Sequence, residues 1–137
     1  MLTTFDMTKT LNFKRVDEFH KAYDMPRGTV TMSEDFTKLT KEDADRIKLR
    51  FDLNNEEFRE LVQAESPAEI MKEACDLVYV ILGMFVEFGW DFDEAFKRVH
   101  ESNMSKLDEE GKPIRRQDGK ILKGPNYKAP DLRDLVW

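Results

Sequence analysis

Five carboxylates carry the chemistry open to this sequence. Glu57 and Glu60 stand three residues apart with Glu56 beside them, and Glu73 and Asp76 repeat the three-residue step. Three residues is close to one helical turn, so each pair shares a helix face. Two such helices packed antiparallel would point four carboxylates into one space, and the short connection around Glu65 and Ser66 favours that packing. Carboxylates left unpaired beside a core helix are expensive unless something positive meets them. A metal ion is the economical partner. An all-oxygen ligand set suits a hard ion, Mg2+ or alternatively Mn2+, rather than iron or zinc.

The helix that must position Glu73 and Asp76 runs from Ser66 to Gly89. Ser66, Pro67 and Glu69 supply an N-cap, a first-turn proline and a capping-box acid, and Gly89 is the residue type that closes helices. Ile70, Ala74, Leu77, Ile81, Met84 and Phe88 form one apolar stripe along it. No charge falls between Leu77 and Val86, so this half is expected to be surrounded by protein. The helix carrying Glu57 and Glu60 is expected from a Thr40 cap with Asp43 to about Glu65, with Ala44, Ile47, Phe51, Phe58 and Val62 inward. Asn54 and Asn55 weaken its middle and allow a kink there.

A first helix is expected over Leu11–Tyr23, striped by Phe13, Val16, Phe19 and Tyr23 and ended near Pro26. His20 beside that stripe reads first as a packing residue and second as a base or ribose contact. Gly28–Leu39 has no clear period. A fourth helix is expected from Asp91 to about Ser105, its stripe of Phe92, Phe96 and Val99 turning polar at Asn103 and Lys106. Beyond Lys106, glycines and prolines break any helix, and Asp118-Gly119 between IRRQ and KILK reads as a hairpin turn. Lys112–Lys128 holds six basic residues against the single acid Asp118. This stretch reads as a solvated tail, or as cations closing over an anionic ligand or a neighbouring subunit's acidic site.

With 137 residues, 6 Gly and 5 Pro, the chain fits one all-α domain over 1–137, a helical core at about 11–106 and an extended tail at 107–137. A net charge of −6 argues against a nucleic-acid partner. The single Cys75 excludes an internal disulfide, reads as a small core residue, and fits a reducing cytoplasm. The amino-terminal stretch has no run of signal-peptide length, and the apolar run of the central helix is too short to span a membrane. Phosphate-cradling glycine loops, HExxH, paired cysteines and an EF-hand are absent. A di-iron carboxylate bundle, the rival from another class, needs E-x-x-H steps where this chain has E-x-x-E and E-x-x-D.

Glu56-Glu57-x-x-Glu60 followed by Glu73-x-x-Asp76 resembles the EExxE and ExxD signature of the all-α nucleoside triphosphate pyrophosphohydrolases. That superfamily includes MazG-type enzymes, dimeric dUTPases and phosphoribosyl-ATP pyrophosphohydrolases. VHESNMSK and KILKGPNYKAPDL extend the likeness across Val16–Leu132. The resemblance implies a four-to-five-helix bundle with a short carboxy-terminal hairpin or irregular tail. It implies metal-dependent hydrolysis of a ribo- or deoxyribonucleoside triphosphate at the α-phosphate, giving a monophosphate and pyrophosphate, as nucleotide-pool house-cleaning. Glu57, Glu60, Glu73 and Asp76 match its metal ligands, and Glu56 its extra acid, for a second metal or for orienting the water. Glu56 and Glu57 are the candidate general bases. Asn103 and Lys106 match its phosphate contacts, and the segment holding His20 flanks its nucleotide pocket. It also implies a homodimer or a homotetramer, and apolar residues off the main stripe, such as Tyr79, Val86 and Trp90, are consistent with a covered face. The alternatives are a phosphoribosyl-ATP substrate and a non-catalytic helical regulator that retains the metal.

Overall fold

The computed structural model describes residues 9–30 and 36–136. Four helices form among them: α1 Leu11–Ala22, α2 Lys41–Val62, α3 Pro67–Phe88 and α4 Phe92–Met104. Two short antiparallel strands follow, β1 Ile114–Arg115 and β2 Ile121–Leu122. The expected all-α fold with a carboxy-terminal hairpin is the one observed. Of the unpatterned stretch Gly28–Leu39, residues 31–35 lie outside the described residues, as do 1–8 of the amino-terminal stretch. The chain divides into two compact units, one ending at Phe92 and joined by Val136, the other Asp93–Leu135.

Local chemistry sets the helix ends in the first unit. Thr40 accepts from the Asp43 amide at 3.1 Å and starts α2. Ser66 accepts from the Glu69 amide at 3.1 Å, and the Glu69 carboxylate reaches back to the Glu65 amide at 2.8 Å. Two otherwise orphaned donors are thereby satisfied at the start of α3. At the other end Gly89 takes a left-handed φ of 72°, and a Cβ there would lie 3.1 Å from the Gly28 Cα. Glycine is required for both reasons. The Gly28 and Thr29 amides, arriving from the end of α1, donate to the Val86 and Glu87 carbonyls at 2.9 and 3.0 Å, capping the last turn of α3.

α3 is the shared wall of two apolar clusters. Phe13 and Val16 of α1 pack on Leu82 and Val86, backed by Phe85 and Phe92. Val30 and Ile47 pack on Phe88, backed by Leu39, Met84 and Trp90. The expected single stripe therefore needs correcting: Ile70 is half exposed, while Leu82 and Val86, off that stripe, are among the most buried residues. Nor is the uncharged half enclosed on all sides, because Val78 and Tyr79 reach solvent, and Cys75 is exposed rather than core.

α2 departs further from expectation. It runs unbroken through Asn54 and Asn55. Of the residues expected inward only Ile47 is buried; Ala44, Phe51, Phe58 and Val62 are exposed. The face turned inward carries Arg46, Arg50, Asn54 and Glu57, spaced four, four and three. An apolar stripe names the core face only when the core is apolar, and here much of it is not.

Among the described residues, His20, Arg50 and Glu87 form a buried polar group at the junction of α1, α2 and α3. Glu87 is 0 % exposed and Arg50 2 % exposed. Arg46 forms an ion pair with Glu87 Oε1, and Arg50 Nε stands 3.8 Å from Glu87 Oε2. Arg50 Nη2 donates to the Val80 carbonyl at 2.6 Å. His20, 2 % exposed, pairs through Nδ1 with the Pro26 carbonyl at 2.9 Å. A carbonyl only accepts, so Nδ1 is the donor in this bond.

In the second unit the two strands pair Ile114 with Leu122 and Arg115 with Ile121. The turn forms where Asp118-Gly119 places it, with Gly119 at φ 90° and its amide donating to the Arg116 carbonyl at 2.8 Å. The irregular tail is tied back to α4 by side chains. Ser102 Oγ donates to the Lys128 carbonyl at 2.7 Å, the Lys128 amide donates to Ser105 Oγ at 3.0 Å, and Arg98 grips Asp134 at 2.6 Å.

Candidate functional site

The antiparallel pairing of α2 and α3 brings Glu57 and Glu60 up to Glu73. One carboxylate oxygen from each lies within 4.8 Å of the other two. Oε2 of Glu57 and Oε2 of Glu73 are both buried without a hydrogen-bond partner. Buried carboxylate oxygens are ordinarily satisfied, so two without a partner among the described residues leave acceptors open to a positive group. The Glu57 carboxyl is pushed above its usual range, first by burial, then by the charges of Glu60 and Asp76, a side-chain hydrogen bond with Glu60, and the charge of Glu73. Donor type, spacing and unmet charge all fit a hard divalent cation.

Asp76, one turn beyond Glu73, is held by Lys72 Nζ at 2.7 Å, and the same ammonium contacts Glu73 Oε1 at 3.2 Å. Both carboxylates push the Lys72 ammonium pKa upward, Asp76 most strongly. Lys72 thus supplies part of the positive charge that the cluster needs. The motif spacing does not single it out, although its four-residue step to Asp76 is that of a helical ion pair. Asn54, in sequence only a weak helix former, also belongs here. Its Oδ1 is buried without a partner one turn before Glu57, extending the three-residue step backward as N-x-x-E-x-x-E.

Glu56 is exposed on the flank of α2 beside Glu57. His20 is enclosed at the helix junction and offers no edge to a ligand in this conformation, so its position corresponds to the packing role. Asn103, exposed in the last turn of α4, and Lys106, partly exposed just beyond it, belong to the second unit. The structure records no ion pair for the Lys106 ammonium among the described residues.

No helix among the described residues is long and apolar enough to cross a membrane. An uncharacterized protein, L479, of Acanthamoeba polyphaga mimivirus is 32 % identical over 108 residues, covering 77 % of this chain and 39 % of its own length. The chain thus spans about two fifths of that curated relative. A solved structure of a provisionally named NTP pyrophosphohydrolase from Exiguobacterium sp. 255-15 is 21 % identical and covers 89 % of this chain and 90 % of its own, at a TM-score of 0.42. The family model for phosphoribosyl-ATP pyrophosphohydrolase matches residues 16–103, a span that takes in α2, α3 and every carboxylate of the cluster. The chain belongs to the phosphoribosyl-ATP pyrophosphohydrolase family.

Proposed function

We propose that this protein hydrolyses a nucleoside 5′-triphosphate to the monophosphate and pyrophosphate with the help of Mg2+ or Mn2+. The observation that carries the reading is the convergence of Glu57, Glu60 and Glu73 with two buried oxygens unsatisfied. These three would hold the ion, with Asp76 joining them once Lys72 is displaced. A bound divalent ion supplies positive charge against the phosphates and polarises the reacting groups. Without it the same carboxylates would repel a polyanion.

The chain's own part in the reaction is proton transfer and orientation. Glu57 and Glu56 are the candidate bases. A carboxylate satisfied by a cation gives up much of its proton affinity, which leaves the exposed Glu56 as the carboxylate free to take the proton of the attacking water as general base. We carry Asn103 and Lys106 as phosphate contacts on the strength of the family resemblance. Replacing Lys106 by Ala is then expected to lower kcat/KM for the triphosphate roughly ten- to a hundredfold, the effect of losing one charge-assisted contact of about 1.5–3 kcal/mol. The melting temperature should hardly change. A large loss of melting temperature with unchanged kinetics would make Lys106 a structural tie.

Two substrate classes share this chemistry. Ordinary ribo- and deoxyribonucleoside triphosphates are one, and phosphoribosyl-ATP, for which the matching family is named, is the other. Pyrophosphate release measured across both, with Mg2+ present, tests the function directly. Turnover of at least one is expected; release of inorganic phosphate alone, or of nothing from any of them, would overturn the reading and favour a non-catalytic metal-binding regulator.

A homodimer completes the proposal. Phe51, Phe58, Val62, Ile70, Met71 and Val78 on α2 and α3 are each 50 to 70 % exposed. Apolar exposure of this density is usual for a covered surface and unusual for a free one. Sedimentation at micromolar concentration should find twice the chain mass, and Phe58→Glu should return the monomer. A monomer for the unsubstituted protein would remove the dimer from the proposal.

A further inference from the structure

The buried charges at the helix junction take no direct part in the chemistry above, yet they stand on the two helices that carry it. Glu57 on α2 meets Glu73 on α3. Seven residues earlier on α2 is Arg50, and seven residues later on α3 is Val80, whose carbonyl accepts from Arg50 Nη2 at 2.6 Å. The carboxylates and the arginine contact therefore share one antiparallel register, about 10 Å apart along the helix axes.

Three features hold Arg50 in that place. Glu87 lies 3.8 Å from its Nε and is itself tied by Arg46. The Val80 carbonyl receives its Nη2. Gly83 leaves the gap through which it passes: a Cβ there would collide with Arg50 Nη2 and stand 2.9 Å from His20 Nε2. Apolar contacts tolerate small axial slips, but a rigid planar guanidinium that donates to the Val80 carbonyl, fills the Gly83 gap and lies 3.8 Å from the Glu87 carboxylate does not. The tolerance matters at the carboxylates. Sliding one helix by a single residue moves a side chain about 1.5 Å, whereas ligand distances in a metal site hold to about 0.2 Å.

We propose that Arg50 is a positioning residue for the carboxylate site, threaded through the Gly83 gap to lock the axial register of α2 on α3 that sets Glu57 opposite Glu73. The inference rests on the metal reading of that site. Arg50→Lys keeps the charge beside Glu87 but cannot span Glu87 and the Val80 carbonyl together. Gly83→Ala keeps Arg50 and displaces it from the other side.

The test is Mn2+ affinity, read from the electron paramagnetic resonance signal of free Mn2+, in the unsubstituted protein, Arg50→Lys, Gly83→Ala and Val16→Ala. The last loosens the apolar core without touching the junction. Each is measured at a temperature where circular dichroism shows it folded. Affinity is expected to fall at least about tenfold in both junction variants and to stay within about twofold in Val16→Ala. Unchanged affinity in whichever junction variants fold, or an equal fall in Val16→Ala, would overturn the positioning role while leaving the metal site standing. Absence of Mn2+ binding by the unsubstituted protein would overturn both.

Discussion

Glu57→Gln is expected to make the metal-free protein more stable and to remove its metal-dependent activity. Glu57 sits among Glu60, Glu73 and Asp76 with one oxygen buried and unpartnered, and its carboxyl titrates above the ordinary range. An amide of nearly the same shape carries no charge to be repelled or desolvated. The gain should be about 1–3 kcal/mol, the cost of an unmet buried polar group, or a few degrees in melting temperature. The pH dependence has a definite sign. A carboxyl whose pKa is raised on folding stabilises the fold fully below its unfolded value, near 4.5, and that contribution is lost as pH rises through the folded value. The metal-free protein should therefore lose this contribution as pH climbs above about 4.5, and Glu57→Gln should lack that part of the profile. Mg2+ should restore stability by mass action, about 2.7 kcal/mol at a hundred times its dissociation constant, and the variant should respond little. Pyrophosphate release should fall by at least about a hundredfold, the upper end of what even outer-shell partners of metal ligands cost. Thermal melts with and without Mg2+, at several pH values, check all of this. A variant less stable than the parent, yet equally active, would mean that Glu57 is paired by something other than a metal.

Glu87→Leu should be the most damaging single substitution. It strands Arg50, 2 % exposed, without its countercharge; Arg46 is about one-third exposed and can turn to water. Removing one partner of a buried pair costs roughly 3–5 kcal/mol, on the order of 10 °C for a chain of this size. Glu87→Leu combined with Arg50→Met should recover much of that loss, because apolar residues of similar volume often replace a buried ion pair without penalty. Urea melts of the single and double variants decide it. If the single variant lies within about 2 °C of the parent by thermal melting, the shift expected of a surface change, Glu87 is not the countercharge that Arg50 requires.

Helix ends are legible in the sequence because their causes are local. Thr40, Ser66, Glu69, Gly89 and the Asp118-Gly119 turn each act on backbone a few residues away. The convergence of Glu57, Glu60 and Glu73 is legible for a related reason: a three-residue step on two helices with a short connection leaves little freedom in how they meet. The inward face of α2 is not. Phe51, Phe58 and Val62 look like a core stripe in isolation, and nothing local says that Arg50 and Glu87, far apart in sequence, will neutralise each other in the interior. Cys75 misleads in the same way, being small and flanked by site residues but set on a face of α3 that reaches solvent. Residues whose partners lie on other helices are visible only once those helices are packed.

Hydrolysis in 18O-enriched water separates this mechanism from its neighbours most directly. The substrate is a triphosphate that the protein turns over with Mg2+, and both products are weighed by mass spectrometry. Attack of water on the α-phosphorus forms the new P–O bond there and expels pyrophosphate with the bridging oxygen. One 18O should therefore appear in the nucleoside monophosphate and none in pyrophosphate, and a chelator should stop the reaction. Label in pyrophosphate or in inorganic phosphate, or turnover undiminished by the chelator, would contradict it.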